Sequence, residues 1–121
     1  MARVALLGLP QDLAAELSRY LLAEGHTVEH KRYIQDLAKR SRPSAVFLSG
    51  DSPDFQDTVA ALKDAEPGLP FVVTTRMPDS ARWLNALEAG AADYCGAPFE
   101  SVQVRWIMSS ILGQQKACVA A

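Results

Sequence analysis

Several residue types that would mark a particular class of protein are scarce in this sequence. Its 121 residues include only two cysteines and two histidines, and the formal net charge is −2. Because so small a charge sets up no field that attracts a phosphate backbone, we expect no direct binding of nucleic acid. Cys95 and Cys118 lack the spacing of a metal site, so we expect neither a metal site nor a disulfide.

Long hydrophobic runs are also missing. The apolar run nearest the amino terminus, residues 4–8, is soon followed by Pro10 and Gln11, and it is too short for a signal peptide or a membrane span. We therefore expect a cytoplasmic protein with no membrane segment.

The composition is that of one globular domain. With 49% hydrophobic and 21% charged residues, the chain is able to bury its own core. We place this domain at residues 1–113. The small and polar residues 114–121 are predicted to form a tail or the start of a linker.

Short apolar runs alternate with segments of helical periodicity, which is typical of a parallel sheet covered by helices. Five strands are predicted, at residues 4–8, 26–32, 45–48, 71–75 and 93–95. The second is the most polar, which suits the edge of a sheet. A helix is predicted after each strand, including a short one at residues 34–40 and another at 80–89. His26 and His30, roughly 13 Å apart on a strand, are expected to be exposed.

An ordered set of features lies between Leu69 and Phe99. Thr75 ends an apolar strand, a Leu-Glu-Ala-Gly-Ala run ends the next helix, Tyr94 lies in a short strand, and Pro98 follows. This order resembles the second half of the receiver domains of bacterial response regulators, and the resemblance extends over essentially the whole chain. It implies a flavodoxin-like (βα)5 fold, with a five-stranded parallel sheet and helices on both faces.

The resemblance also implies a degenerate phosphorylation pocket. Receiver domains carry a pair of carboxylates after the first strand, where this chain has Gly8 and Leu9. The phosphoacceptor aspartate of the family corresponds to Ser49, and its lysine corresponds to Ala97. The hydroxyl that contacts the phosphoryl group is retained as Thr75.

These losses are chemically consistent with one another. Mg²⁺ prefers hard oxygen ligands, and Gly8 and Leu9 offer none, while a serine hydroxyl at Ser49 is a weak nucleophile without an activating base or metal. Without the acidic cluster, a lysine in place of Ala97 would be an unpaired buried charge. We therefore expect a regulatory domain that is not an enzyme, is not phosphorylated and needs no cofactor.

Two nearby acids offer an alternative. If the loops bring Asp51 and Asp12 to the strand ends, the chain is a phosphoryl-accepting receiver that uses Asp51 or Ser49. Local sequence favours a simpler role, in which Asp51 forms a turn and Asp12 is a first-turn acid of a helix.

A second alternative is a nucleotide-binding Rossmann-like domain. That motif requires three glycines after the first strand, and this chain has Gly8, Pro10 and Leu13 at those places. Two of the three requirements are missing.

Both tryptophans lie on the predicted fourth and fifth helices. Trp83 flanks a Leu84 and Leu87 stripe that we expect to pack inward, whereas Trp106 lies nearly opposite the core stripe of the last helix. The resemblance implies that Tyr94 acts with Thr75 as a switch. We predict that Trp83, Tyr94 and Trp106 belong to an interface, formed by the fourth helix, fifth strand and fifth helix, for a protein partner or a homodimer.

Overall fold

A computed structural model of the chain describes residues 2–37 and 42–120, with the side chains of the last helix described as far as residue 113. The strands are β1 (Arg3–Leu7), β2 (Thr27–Lys31), β3 (Ala45–Ser49), β4 (Phe71–Thr75) and β5 (Asp93–Gly96). The helices are α1 (Gln11–Ala23), α2 (Phe55–Ala65), α3 (Ser80–Glu88) and α4 (Ser101–Ala120), and a short 3-10 helix spans Ile34–Asp36.

All neighbouring strands pair in parallel, in the order β2-β1-β3-β4-β5. The apolar strands β1, β3 and β4 are central and buried, and the polar strand β2 lies at an edge, as predicted. This is the flavodoxin-like order, which confirms the predicted fold class. In the dinucleotide-binding order β3 would pair with β2, whereas here it pairs with β1, so the topology differs from that of the Rossmann alternative.

Alternation along the strands divides the core between the two faces of the sheet. Leu6 and Phe47 point into one cluster, which is covered by α1 and α4. Leu7 and Leu48 point into the other, which is covered by α2 and α3. The buried and free Cys95 of β5 belongs to the first cluster, where burial raises the pKa of its thiol to about 12.

Two predicted segments differ from the structure. The helix predicted at residues 34–40 is a 3-10 helix at Ile34–Asp36, and residues 38–40 lie outside the described part of the chain. The backbone of α4 continues to Ala120, so the helix does not end near residue 113. The side chain of Cys118 lies outside the described ones, and the start of a linker at 114–121 stays a prediction. Among helices of the described residues, none is long and apolar enough to cross a membrane.

The junction between α1 and β2 contains a buried histidine. Gly25 has a φ of +86°, a left-handed conformation typical of glycine at the end of a helix. The next residue, His26, is only 8% exposed, so the expectation that it is exposed was wrong. Its Nδ1 accepts a hydrogen bond from the backbone N–H of Ala2 at 3.1 Å, and burial lowers its pKa. His30 is exposed, as expected, and lies 3.1 Å from the hydroxyl of Ser18.

Candidate functional site

The candidate site lies at the carboxyl ends of β1, β3 and β4. In a sheet of this order, crossovers leave β1 and β3 in opposite directions, and ligands bind at the crevice that results. The strand register pairs Leu7 with Leu48 and Ser49 with Thr74, so the residues that follow β1 and end β3 and β4 share one edge. The structure thus brings the predicted pocket positions together.

Gly8 and Leu9 contribute no carboxylate to this edge. Gly8 has a φ of +65°, a conformation that favours glycine, and its N–H donates to the carbonyl of Lys31 at 2.9 Å. Leu9 packs against the core beneath α1 and α4. Neither position therefore offers an oxygen ligand from its side chain.

Ala97 lies beside the end of β4. Its N–H donates to the carbonyl of Thr75 at 2.8 Å, its side chain packs against the first core cluster, and its peptide bond to Pro98 is cis. No cation therefore stands at this position of the pocket.

Gly8 also borders two surface clefts. One, of about 580 Å³, is lined by Ser49, Tyr33 and Asp54 among others. The second, of about 730 Å³, is lined by Leu9, Lys31 and further residues of α1 and β2. The hydroxyl of Ser49 accepts the backbone N–H of Asp51 at 3.2 Å, so it is engaged by the loop that follows β3.

The feature of this edge that sequence reasoning missed is the position of the Asp51 carboxylate. Its Oδ1 accepts hydrogen bonds from the hydroxyl of Thr75 at 2.5 Å and from Nη1 of Arg82 at 2.7 Å. Its Oδ2 accepts the backbone N–H of Arg76 at 2.8 Å. We call these four residues the Asp51 bridge, because they connect the loop after β3 to the end of β4 and the start of α3.

Asp51 lies in the loop after β3, as predicted, but the role of its carboxylate extends beyond a local turn. Its carboxylate is bound by residues 24 to 31 positions further along the chain. Asp12 does lie in the first turn of α1, as predicted. It also forms a two-pronged ion pair with Arg76, at 2.6 and 2.8 Å, and this guanidinium lowers the pKa of Asp12.

The two acids thus reach the strand ends, but each is paired with an arginine. Asp51 is bound by Arg82, and Asp12 is bound by Arg76. Within the part of the chain that the structure describes, no three His, Cys, Asp or Glu side chains are grouped so that they could hold a metal ion. A metal ion at Asp51 would have to compete with these three donors for the carboxylate oxygens.

Thr75 is held in a single orientation. The residue is 1% exposed, and its hydroxyl donates to Asp51 while it accepts the backbone N–H of Met77 at 3.1 Å. Both the donor and an acceptor site of the hydroxyl are therefore used.

Tyr94 points inward. Its side chain packs against the second core cluster, to which Ala86 of α3 belongs. Its hydroxyl oxygen is buried and has no hydrogen-bond partner among the described residues. Packing against this cluster, rather than a hydrogen bond to a described residue, therefore holds the ring in its orientation.

Helices α3 and α4 present large apolar side chains to solvent. Trp106 is 72% exposed, which agrees with the expectation that it is hard to bury within the domain. On α3 the small Ala86 is the buried residue, and Leu84 and Leu87 are exposed together with Trp83, so the expectation of an inward stripe was wrong. The two helices cover opposite faces beside the edge strand β5. We call their exposed apolar residues the β5-edge surface: Trp83, Leu84 and Leu87 of α3, with Val102 and Trp106 of α4.

Comparison with known proteins supports the fold. No protein-family model matches the sequence, and no curated protein matches it significantly. The chain is similar to NtrX from Brucella abortus, crystallised with ADP, with a TM-score of 0.85 and 20% identity over 98% of this chain and 29% of that one. A response regulator receiver domain from Clostridium thermocellum gives a TM-score of 0.80 and 14% identity over 98% of this chain and 99% of its own. A receiver protein from Pseudoalteromonas atlantica gives 0.74 and 18%, over 93% and 98%. The chain therefore has the fold of a receiver domain.

Proposed function

We propose that this chain is a receiver-like regulatory domain of a response regulator or a related signalling protein. It acts in the cytoplasm through contacts with protein and is not phosphorylated. The observation that carries this proposal is the edge of the sheet at β1, β3 and β4, where the receiver fold is complete but Gly8, Leu9, Ser49 and Ala97 provide neither carboxylate nor cation.

The absence of phosphorylation follows from the chemistry of this edge. Among the described residues, no base lies at hydrogen-bond distance from Ser49, and its hydroxyl accepts the N–H of Asp51. A serine hydroxyl requires an activating base or a metal to attack a phosphoryl donor. The nearby carboxylates of Asp51 and Asp12 are bound by arginines, which competes with binding of Mg²⁺.

Protein contact is supported by the β5-edge surface. Exposed aromatic side chains grouped with aliphatic ones mark interfaces more often than ordinary surface, and tryptophan is enriched among the residues that dominate binding energy. Trp83 and Trp106 belong to the helices that cover the two faces of the sheet, and the edge strand contains Tyr94. A protein partner or a second copy of the domain bound here would contact the elements next to the proposed switch residue.

A competing function is phosphoryl acceptance by Asp51. One observation favours it, because the Asp51 carboxylate lies next to the hydroxyl of Thr75 at the strand ends. Phosphorylation would have to break the ion pair with Arg82 and recruit a metal without the usual pair of acids.

Acetyl phosphate with Mg²⁺ separates the two functions. The chain and its Asp51→Asn variant are incubated with this donor, and intact mass is measured beside a receiver known to accept phosphate. We expect no gain of a phosphoryl group in either form. A gain that depends on Mg²⁺ and disappears in Asp51→Asn would overturn the proposal and establish the competing function.

A further inference from the structure

The Asp51 bridge has the composition of an occupied anion site. We propose that the Asp51 carboxylate is an internal anion that fills this site permanently and thereby holds Thr75 and Tyr94 in one state. This inference rests on the proposed function, since it concerns how a domain without phosphorylation sets its switch residues.

The donors that meet at Asp51 are those of an oxyanion site. A hydroxyl, a backbone N–H and a guanidinium, from Thr75, Arg76 and Arg82, converge on two oxygens at 2.5 to 2.8 Å. Such charge-assisted bonds are short and strong. A second acid, Asp79, caps α3 through the N–H of Arg82 at 2.7 Å and lies 3.6 Å from its Nε, so it orients the guanidinium towards the site.

The backbone before Asp51 directs the carboxylate to β4. The N–H of Gly50 donates to the carbonyl of Thr74 at 2.8 Å, which continues the sheet pairing one residue past β3. A Cβ on Gly50 would lie 2.6 Å from Cγ1 of Val73, so the close approach of the two segments requires glycine. The geometry of the bridge is therefore built into the main chain.

The bridge is connected to Tyr94 by two short paths. Thr75 pairs with Gly96 of β5, two residues after Tyr94. Arg82 lies one turn before Ala86 on the inner side of α3, and Ala86 and Tyr94 share the second core cluster. Fixing Thr75 and the start of α3 therefore constrains β4 and α3, the two elements that contact the strand of Tyr94.

The inward Tyr94 needs such support because its buried hydroxyl has no described partner. A ligand shifts a two-state equilibrium only through different affinities for the two states. The Asp51 carboxylate acts as that ligand, since it binds its donors only when Thr75 and the start of α3 are in the observed arrangement.

Fluorotyrosine incorporation tests this inference. The chain has three tyrosines, and Tyr33, which is 56% exposed, serves as an internal reference for a solvent-accessible ring. Fluorine NMR of Asp51→Ala is compared with wild type and with Asp57→Asn, an exposed acid of α2. We expect the Tyr94 resonance of Asp51→Ala to acquire a solvent isotope shift like that of Tyr33, and the resonance of Asp57→Asn to stay unchanged.

Rescue by an added anion distinguishes an anion site from a merely structural contact. Acetate or inorganic phosphate is titrated into Asp51→Ala, and we expect the Tyr94 resonance to return towards its wild-type position. The same titration should have no effect in Asp51→Ala combined with Arg82→Gln. If Asp51→Ala does not fold, Arg82→Gln alone is measured, with the same expected exposure of Tyr94.

A folded Asp51→Ala or Arg82→Gln domain with an unchanged Tyr94 resonance would overturn the inference. Failure of the proposed function is a separate result, because incorporation of phosphate into the wild-type chain is read by mass and does not depend on the position of Tyr94.

Discussion

The hydroxyl of Thr75 lies 2.5 Å from Oδ1 of Asp51, although these residues belong to different strand ends and are 24 positions apart in the chain. Thr75 is buried and Asp51 is partly exposed. The contact therefore joins the interior of the sheet to an acid that solvent and solutes can reach.

Removal of the Asp51 carboxylate should destabilise the domain moderately. Hydrogen bonds to a charged group contribute about 1.5–3 kcal/mol each when they are buried, and exposed ion pairs contribute about 0–1 kcal/mol. Since the Asp51 side chain is 29% exposed and that of Arg82 is 41% exposed, we expect Asp51→Ala to lower the free energy of unfolding by about 1–2 kcal/mol in total. Urea unfolding measures this, with Asp57→Asn as the control. An unchanged midpoint would show that the bridge adds nothing to stability.

Restoring an aspartate at the end of β3 should not restore phosphorylation. In Ser49→Asp, a Mg²⁺ ion would still lack the oxygen ligands that a pair of acids would provide, because this chain has Gly8 and Leu9 at those positions. Mass analysis after incubation with acetyl phosphate is expected to show no phosphoryl group. Labelling at the rate of an ordinary receiver would mean that Asp12 or Asp51 already serves the metal.

Truncation of Trp106 should weaken association and leave folding intact. The side chain is 72% exposed, so its removal is expected to change the free energy of unfolding by less than about 0.5 kcal/mol. Loss of an aromatic anchor should weaken self-association or partner binding by about 1–2 kcal/mol or more. Sedimentation and a urea melt of Trp106→Ala decide this, with Leu22→Ala, an exposed apolar residue of α1, as the control. Unfolding without a change in association would assign Trp106 to the core.

The domain should become less stable as the pH falls, because His26 is buried. Burial lowers the pKa of this imidazole in the folded state below its ordinary value of 6.5. Well above pH 6.5 the ring is neutral in both the folded and the unfolded state. As the pH falls through 6.5, the unfolded chain binds a proton before the folded chain does, which destabilises the folded state. Urea unfolding above and below pH 6.5 should show a lower free energy of unfolding at the lower pH for the wild type. His26→Asn should lack this decrease. Equal losses in the two proteins would remove His26 as the cause.

Helical and strand periodicity predicted a parallel sheet covered by helices because the buried strands are short, apolar and separated by turn residues, whereas the flavodoxin-like topology was implied by the resemblance to receiver domains. The predicted bounds of β4, residues 71–75, are those observed. Periodicity also grouped Leu84 and Leu87 correctly on one side of α3, but it assigned the wrong side to the core. Helix α3 packs against the sheet through the small Ala86, so its large apolar residues are exposed to solvent.

The long-range contacts of Asp51 were missed for a different reason. Its position two residues after a strand is typical of a turn former, and nothing in the local sequence indicates that its partners begin 24 positions later. The path of the loop depends on Gly50 and on the space beside Val73, which only the assembled sheet defines. A polar residue that follows a buried strand is thus a candidate for contacts across strand ends, as well as for a turn.

The reactivity of the free Cys95 thiol can report local opening of the domain. Alkylating reagents attack the thiolate, which is almost absent at neutral pH when the pKa is about 12. Cys95 sits in β5, the edge strand that pairs only with β4 among the strands described. In a variant with Cys118 replaced by serine, the rate of alkylation of Cys95 measures how often that edge strand detaches. A partner that binds α3 and α4 and holds them in place would lower this rate without contacting the sulfur.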